Sequence, residues 1–176
     1  MHAFWESGYG LSVDTLVAKL GTTRFALYSQ FGSKQGLFER ALERYARAVV
    51  APNLGGLAPG SGRAGLEAYF ERALSEAEAR GWRTRGCLMA NTMVELGVSE
   101  PRIASQTRAH FQRLRRAFAR ALDGARPGAD ARRRAAALAA FAQGLFVSAR
   151  AGVSLAALRD AVSAQLDALA PREATR

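Results

Sequence analysis

The sequence predicts an all-α protein, and three observations support this fold class. Apolar side chains recur at spacings of three and four residues, which is the period of one face of a helix. Alanine and arginine are the most abundant residues, and almost no stretch alternates apolar and polar side chains as a half-buried strand does. Glycine or proline separates successive apolar stripes. The chain is therefore expected to consist of helices joined by turns.

Residues 12–31 are predicted to form two short helices joined by a glycine turn. Ser12 provides an N-cap oxygen for the first helix. The apolar face of this helix follows the spacing i, i+3, i+4, i+7 and consists of Val13, Leu16, Val17 and Leu20. Gly21 permits the positive φ that ends the helix, and Thr22 or Thr23 caps the next one.

The second of these helices is predicted to present its side chains to the outside. Leu27 and Phe31 are expected to face the first helix. The side chains left projecting outward are Arg24, Phe25, Ala26 and Tyr28. A bihelical unit with an exposed second helix has the geometry that enters the major groove of DNA. The sequence therefore predicts a helix-turn-helix.

Further helices are predicted on both sides of this unit. Residues 2–9 form the end of a first helix, from which Phe4 and Trp5 cover the helix-turn-helix. Another helix begins at Ser33 and runs to about Val50. Its apolar stripe consists of Leu37, Phe38, Ala41, Leu42, Tyr45 and Val49. This helix is expected to connect the N-terminal domain to the rest of the chain.

The predicted domains are residues 1–50, which contain the helix-turn-helix, and residues 66–176, which form a body of about five helices. Residues 51–65 are rich in proline and glycine and lack helical periodicity, which indicates a linker. The linker includes the pattern G-x-G-x-x-G. A dinucleotide site requires a preceding strand, and none is predicted, so we interpret the pattern as a loop.

Composition excludes several classes of protein. The longest apolar stretch, residues 135–149, is shorter than the roughly 20 residues that a membrane span needs, so no membrane partner is expected. No basic segment followed by an apolar run begins the chain, and the protein is expected to be cytoplasmic. The single cysteine, Cys87, excludes an intrachain disulfide and a cysteine-cluster zinc site.

Charge and chemistry point away from an enzyme. The net charge is +10, but residues 1–50 hold six basic and four acidic residues, so bulk charge indicates only a general attraction to polyanions. The sequence contains no pair of carboxylates, activated serine or other acid–base constellation. No catalytic residue, metal site or cofactor is predicted.

A run of residues near the N-terminus resembles a known family. It reads L-V-A-K-L-G-T-T-R-F-A-L-Y-S-Q-F-G-S-K-Q-G-L-F. The run is similar to the DNA-binding signature of the TetR/AcrR family of bacterial regulators, especially in L-Y-x-x-F-x-x-K-x-x-L-F. This resemblance covers about residues 3–50. The later segment R-G-C-L-M-A-N-T-M-V-E-L and the last two helices resemble one branch of the family's ligand-binding and dimerisation domain.

The resemblance implies an architecture and a set of partners. The protein is expected to be a ligand-responsive regulator, most often a repressor, that binds a palindromic double-stranded DNA operator as a homodimer. Apolar stripes on the last two helices are predicted to form the dimer interface. These stripes consist of Leu138, Phe141, Leu145, Leu155, Leu158, Val162 and Leu169. Relatives usually have several more helical turns before residue 3, so the first helix is expected to be shortened.

Candidate DNA contacts lie on and around the second helix of the helix-turn-helix. Arg24 is the candidate for base reading, because a guanidinium can donate two hydrogen bonds to guanine. Phe25 either packs on a thymine methyl group or folds inward as core. The other candidates, which mainly contact phosphates, are Ser12, Thr22, Thr23, Ala26, Tyr28, Ser29, Gln30 and Lys34. Such contacts position a protein without reading sequence.

An apolar and aromatic set in the body is the candidate site for a small-molecule effector of unknown identity. It consists of Trp82, Cys87, Met89, Asn91, Met93, Phe111, Phe118 and Phe146. Asn91 is a polar amide among apolar neighbours and requires a partner. Two alternatives stay open. Cys87 follows Arg83 and Arg85 at a helix start, which favours a lowered thiol pKa and a redox sensor. The second alternative is that the chain is a helical interaction module without DNA binding.

Overall fold

The structure is a computed structural model, and it describes residues 1–79, 81, 85–97 and 99–169. These residues form helices and turns and contain no strand, which confirms the predicted all-α fold. The helices are α1 (His2–Ser7), α2 (Val13–Leu20), α3 (Arg24–Phe31), α4 (Lys34–Tyr45), a π-helical segment (Ala46–Val50), α5 (Ala51–Gly55), α6 (Gly62–Ala79), α7 (Leu88–Leu96), α8 (Pro101–Asp123), α9 (Ala129–Arg150) and α10 (Leu155–Asp167).

The chain divides into two compact units. The first unit contains Met1–Pro52 and Cys87–His110, and the second contains Asn53–Gly86 and Phe111–Arg176. These bounds follow spatial contacts and differ from the domains predicted along the sequence. The reason is that α7 and the first half of α8 pack with the N-terminal helices, although they lie far from them in sequence.

Local side-chain caps fix the ends of α2 and α3. The hydroxyl of Ser12 accepts a hydrogen bond from the N–H of Thr15 at 3.1 Å, as an N-cap does. Gly21 adopts the left-handed conformation, with φ 62° and ψ 38°, and ends α2. Thr23 then caps α3 by accepting from the N–H of Ala26 at 3.1 Å. Of the two threonines proposed as the cap, the structure selects Thr23.

The core of the first unit holds α1 and α4 together through aromatic side chains. Phe4 packs edge-on against Phe38, with ring centroids 4.8 Å apart. Trp5 packs in the same manner against Tyr45 at 4.9 Å. All four rings are buried. Phe4 and Trp5 are buried against α4, and a covering role over α2 and α3 stays a prediction.

The helix that begins after Ser33 is longer than predicted. The π-helical segment and α5 follow α4 directly, so helical structure extends to Gly55. The predicted linker, residues 51–65, thus begins inside a helix. Its proline content indicated a break because proline is not tolerated in a helix interior. Pro52 nevertheless lies inside this helical run, directly after a π-helical segment in which the ordinary i→i−4 hydrogen bonds are already interrupted.

The second unit has a single apolar core. Tyr69 and Phe70 of α6 pack around Phe118 of α8, with ring centroids 5.2 and 6.1 Å away. Small buried alanines of α9, such as Ala135 and Ala142, let the helices approach closely. On the surface, Arg159 of α10 binds the carboxylate of Glu71 on α6 through two hydrogen bonds of 2.8 and 2.9 Å.

The apolar stripes of α9 and α10 that were predicted to form a dimer interface lie in the interior of a single chain. Five of the side chains predicted to lie at the dimer interface are buried within the core of the second unit: Leu138, Leu145, Leu155, Leu158 and Val162. Phe141 and Leu169 are partly buried against the same core. Because buried side chains have no surface left for a second copy, a dimer through α9 and α10 requires their opposite faces.

Two further observations concern the described residues as a whole. None of the helices they form is long and apolar enough to cross a membrane. Their histidine, cysteine, aspartate and glutamate side chains include no group of three that is placed to hold a metal ion.

Candidate nucleic-acid interface

The helix α3 is exposed on almost every side. Leu27 is its only residue that is fully buried, and Phe31 is half-buried. α2 and α4 both pack against α3 and hold it at the surface of the first unit. Most side chains of α3 are thus exposed and can contact a partner.

Nine of the ten predicted DNA-contacting residues are exposed. They are Ser12, Thr22, Thr23, Arg24, Phe25, Ala26, Tyr28, Ser29 and Gln30. Phe25 is 83% exposed. Of the two roles considered for Phe25, the inward core role is therefore wrong. The exposed ring leaves apolar surface on α3 that a partner can cover.

Arg24 is bound to an acidic side chain. Its guanidinium donates two hydrogen bonds to the carboxylate of Asp14, at 2.7 and 2.5 Å, so the pair is bidentate. These hydrogen bonds raise the pKa of Arg24 further above its ordinary value. Asp14 belongs to α2, so the pair crosses the turn of the helix-turn-helix. The sequence analysis did not identify Asp14, because the pair forms only when α2 and α3 fold against each other.

Lys34 is half-buried, unlike the other candidates. Its ammonium group lies over the ring of Tyr9, 4.5 Å from the centroid, which is a cation–π contact. Lys34 is the first residue of α4, whose N-terminus is capped by Ser33 accepting from the N–H of Gly36. The lysine is thus held at a helix N-terminus, where an anion is also favoured by the backbone. Tyr9 is a second residue that the sequence analysis missed.

Four of the predicted effector residues lie in the first unit. Cys87 and Met89 are buried, and Asn91 and Met93 are half-buried. Burial raises the pKa of the Cys87 thiol, and hydrogen bonds with the Ala90 backbone, the Tyr45 side chain and the Met89 backbone only partly oppose this effect. The lowered thiol pKa expected from the helix start and the nearby arginines is therefore wrong, because desolvation dominates.

Three of the predicted effector residues lie in the second unit. Phe118 is fully buried in the aromatic core, whereas Phe111 and Phe146 are half-buried. Trp82 lies outside the described residues. A cleft of about 410 Å³ is found in the first unit, and its lining is mostly polar and charged. None of the predicted effector residues that the structure describes lines this cleft.

The buried thiol gives a testable expectation. Cys87 in the folded protein should react with a disulfide reagent at least about a hundredfold more slowly than in the denatured chain, because reaction requires local opening. An exposed reference thiol is provided by Val94→Cys in a Cys87→Ala background, since Val94 is 74% exposed. Stopped-flow absorbance measures both rates. Equal rates for Cys87 and this reference would revive the thiol-sensor alternative.

Comparisons with known proteins agree with this geometry. A model described as bacterial regulatory proteins, tetR family, matches residues 1–41, and one described as transcriptional regulator LmrA/YxaF-like, C-terminal domain, matches residues 63–164. The HTH-type transcriptional regulator YezE of Bacillus subtilis (strain 168) is 30% identical over 123 residues, which is 67% of this chain and 61% of YezE. The HTH-type transcriptional repressor ComR of Escherichia coli (strain K12) is 29% identical over 164 residues, which is 88% of this chain and 78% of ComR.

The chain thus spans about 61% of the length of YezE. No solved structure matches the chain significantly. The two family models together cover the helix-turn-helix and most of the body, and both relatives are helix-turn-helix regulators by name. The protein therefore belongs to the TetR family of bacterial transcriptional regulators.

Proposed function

We propose that the protein is a ligand-responsive transcriptional repressor that binds a palindromic operator as a homodimer. The observation that carries this proposal is the exposure of α3, which buries only Leu27 and presents Arg24, Phe25 and Tyr28 outward. Family membership supports DNA binding in general. The name of the relative ComR supports repression as the direction of regulation.

Arg24 and Phe25 are proposed to read bases from the first turn of α3. The N-terminal residues of a recognition helix are the ones that reach base edges in the major groove. A guanidinium recognises guanine through two hydrogen bonds, and an exposed phenyl ring suits the methyl group of thymine. The phenyl ring would also lose its unfavourable exposure to water when it packs on DNA. These two residues together favour an operator half-site that contains guanine and thymine.

The Asp14 carboxylate is proposed to act as a competitor for Arg24. In the free protein Arg24 satisfies its donors on Asp14. Binding to guanine exchanges this pair for an equivalent bidentate one. A base that cannot accept two hydrogen bonds does not compensate for the loss of the Asp14 pair, so Arg24 then stays on the carboxylate. Competition from Asp14 therefore raises discrimination between sequences at the expense of affinity.

The remaining exposed candidates are proposed to fix the position of the protein on the phosphate backbone. Ser12 and Thr23 cap α2 and α3, so phosphates near them also meet backbone N–H groups at helix N-termini. Lys34 is half-buried and is the first residue of α4, next to the cap at Ser33. Hydroxyl and amide donors further along the surface are supplied by Thr22, Tyr28, Ser29 and Gln30, and Ala26 permits close approach. These contacts give salt-dependent affinity without sequence preference.

A homodimer is proposed to form through the outward faces of α9 and α10. The exposed face of α10 carries the small side chains Ala157, Ala161 and Ala164 at helical spacing, and that of α9 carries Ala140 and Gly144. Small side chains let a second pair of helices approach closely. The leucines of the two helices are occupied within the chain. A twofold dimer then requires recognition helices about one helical turn of DNA apart, roughly 34–36 Å, or a multiple of it.

The effector is proposed to bind in the body and to change operator affinity. A ligand shifts an equilibrium only by binding two states of the protein differently. The described candidates that keep accessible surface are Asn91 and Met93 in the first unit and, separately, Phe111 and Phe146 in the second. We infer no catalytic step, in keeping with a family of generally non-enzymatic regulators.

The Arg24→Ala substitution tests base reading directly. Arg24→Ala is expected to lower affinity for the operator by roughly tenfold or more and to leave affinity for a random duplex nearly unchanged, because a lost bidentate base contact relaxes specificity. Fluorescence anisotropy with a labelled duplex from the upstream region of the gene, at two salt concentrations, measures both affinities.

The matched control is Arg108→Ala, which removes an exposed arginine of α8. This variant lowers net charge by the same amount and should not change the ratio of operator affinity to random-duplex affinity. If Arg24→Ala lowers both affinities equally, Arg24 contacts phosphate only, and the base-reading role is wrong. Absence of selective binding by the wild type would reject the proposed function.

The proposed dimer interface predicts the effect of a charge on α10. Ala161→Glu should convert the dimer into a monomer, because two carboxylates would meet across the twofold axis region without partners. Ala109→Glu, at an exposed position of α8, should leave the dimer intact. Sedimentation velocity gives the oligomeric state of each variant. A wild-type monomer, or a dimer that persists in Ala161→Glu, would contradict this interface.

A further inference from the structure

The carboxylate of Glu95 binds the backbone of the segment that leads into the helix-turn-helix. Glu95 lies in the last turn of α7. One of its oxygens accepts a hydrogen bond from the N–H of Tyr9 at 3.0 Å, and the other accepts from the N–H of Gly10 at 3.0 Å. The pairing joins residues 85 and 86 positions apart in the sequence. Within the first unit it ties α7 to the turn between α1 and α2.

The segment is shaped to receive this carboxylate. Gly8 has a φ of 76°, which favours glycine, and a Cβ added there would lie 2.8 Å from an Oε atom of Glu95. The backbone conformation thus favours glycine at this place, and a side chain there would displace the Glu95 carboxylate. The carboxylate also lies at the C-terminal end of a helix, where the macrodipole disfavours a negative charge. The two N–H donors compensate for that unfavourable position.

Tyr9 extends the contact to a candidate phosphate-binding residue. Its ring packs on Phe38 of α4, with centroids 5.0 Å apart. The ammonium group of Lys34 lies over the same ring at 4.5 Å. The residue whose backbone is held by Glu95 therefore supports the side chain at the N-terminus of α4. A shift of Glu95 would displace Tyr9, and the displacement of Tyr9 would move Lys34.

The helix α7 also carries a candidate effector residue, Asn91. Asn91 precedes Glu95 by four residues, so the two lie on the same face of the helix. Glu95 and Asn91 fall in the part of the chain matched by the C-terminal family model, whereas Tyr9 and Gly10 fall in the part matched by the DNA-binding model. The contact thus joins the two functional parts of the chain within one compact unit.

We propose that Glu95 is a positioning residue that couples α7 to the DNA-binding surface, so that operator affinity depends on where α7 lies. This inference rests on the proposed function, since it presumes an operator and a regulated body. The two hydrogen bonds from the Tyr9 and Gly10 N–H groups to Glu95 are called the clasp. The intact clasp holds Tyr9 and Lys34 in the DNA-competent arrangement. Displacement of α7 by an effector releases the clasp and lowers operator affinity.

The test compares three variants of the full chain by operator anisotropy. Glu95→Ala should bind the operator at least about fivefold more weakly than wild type, at the lower end of typical coupling between sites. Glu95→Gln keeps the side-chain volume but only one acceptor oxygen, and it should also bind more weakly. Glu76→Ala, at an exposed acid on α6, is the matched control and should bind as wild type does.

A purely structural role for Glu95 is separated by two additional readouts. In a double-mutant cycle, Lys34→Ala should have a smaller effect in the Glu95→Ala background than in the wild type, because the clasp acts through Lys34. Coupling is also reciprocal. Addition of the operator duplex should therefore slow amide hydrogen exchange in α7 of the wild type and leave it unchanged in Glu95→Ala.

The outcomes separate the coupling from the function on which it rests. If the wild type binds its operator selectively but a folded Glu95→Ala or Glu95→Gln variant binds within about twofold of it, the coupling is wrong and the proposed function stands. Additive effects of Lys34→Ala and Glu95→Ala likewise overturn it. A wild type without selective binding overturns both. The conservative Glu95→Gln variant supplies the result if Glu95→Ala does not fold.

Discussion

The exposure of α3 is the constraint on which the rest of the account depends. A helix of eight residues that buries only Leu27 completely cannot hold its own position. Its place is fixed instead by the left-handed turn at Gly21, the cap at Thr23 and packing against α2 and α4. Every role proposed for Arg24 and Phe25 requires that these supports hold the helix outward against the loss of apolar burial.

Local features of the fold were predictable because they depend on neighbouring residues. The cap at Ser12 and the turn at Gly21 each combine a short polar side chain or a glycine with an apolar stripe. The end of the helix after Ser33 was misplaced, since composition does not show that a π-helical segment precedes Pro52 and that the helix continues through it. The sequence also cannot show which side of an amphipathic helix meets its own core and which meets a partner.

In the candidate site, too, local features were predictable and tertiary contacts were not. Exposed residues of α3 followed from spacing alone, because Leu27 and Phe31 mark the buried side. The ion pair between Asp14 and Arg24 and the clasp of Glu95 on Tyr9 depend on tertiary approach and were not predicted. The prediction of a lowered thiol pKa for Cys87 was wrong for a related reason. A helix start and adjacent arginines lower a thiol pKa only when the thiol remains hydrated.

Selection of bound sequences from a random duplex library by the purified wild-type protein tests the central claim most directly. A protein that reads DNA through α3 as a twofold dimer should enrich one palindromic sequence, with half-sites about 10–10.5 base pairs apart or a multiple of that distance. Guanine and thymine should recur at fixed places in each half-site. Recovery of unrelated sequences after repeated rounds would show that the exposed helix does not read DNA and would contradict the account.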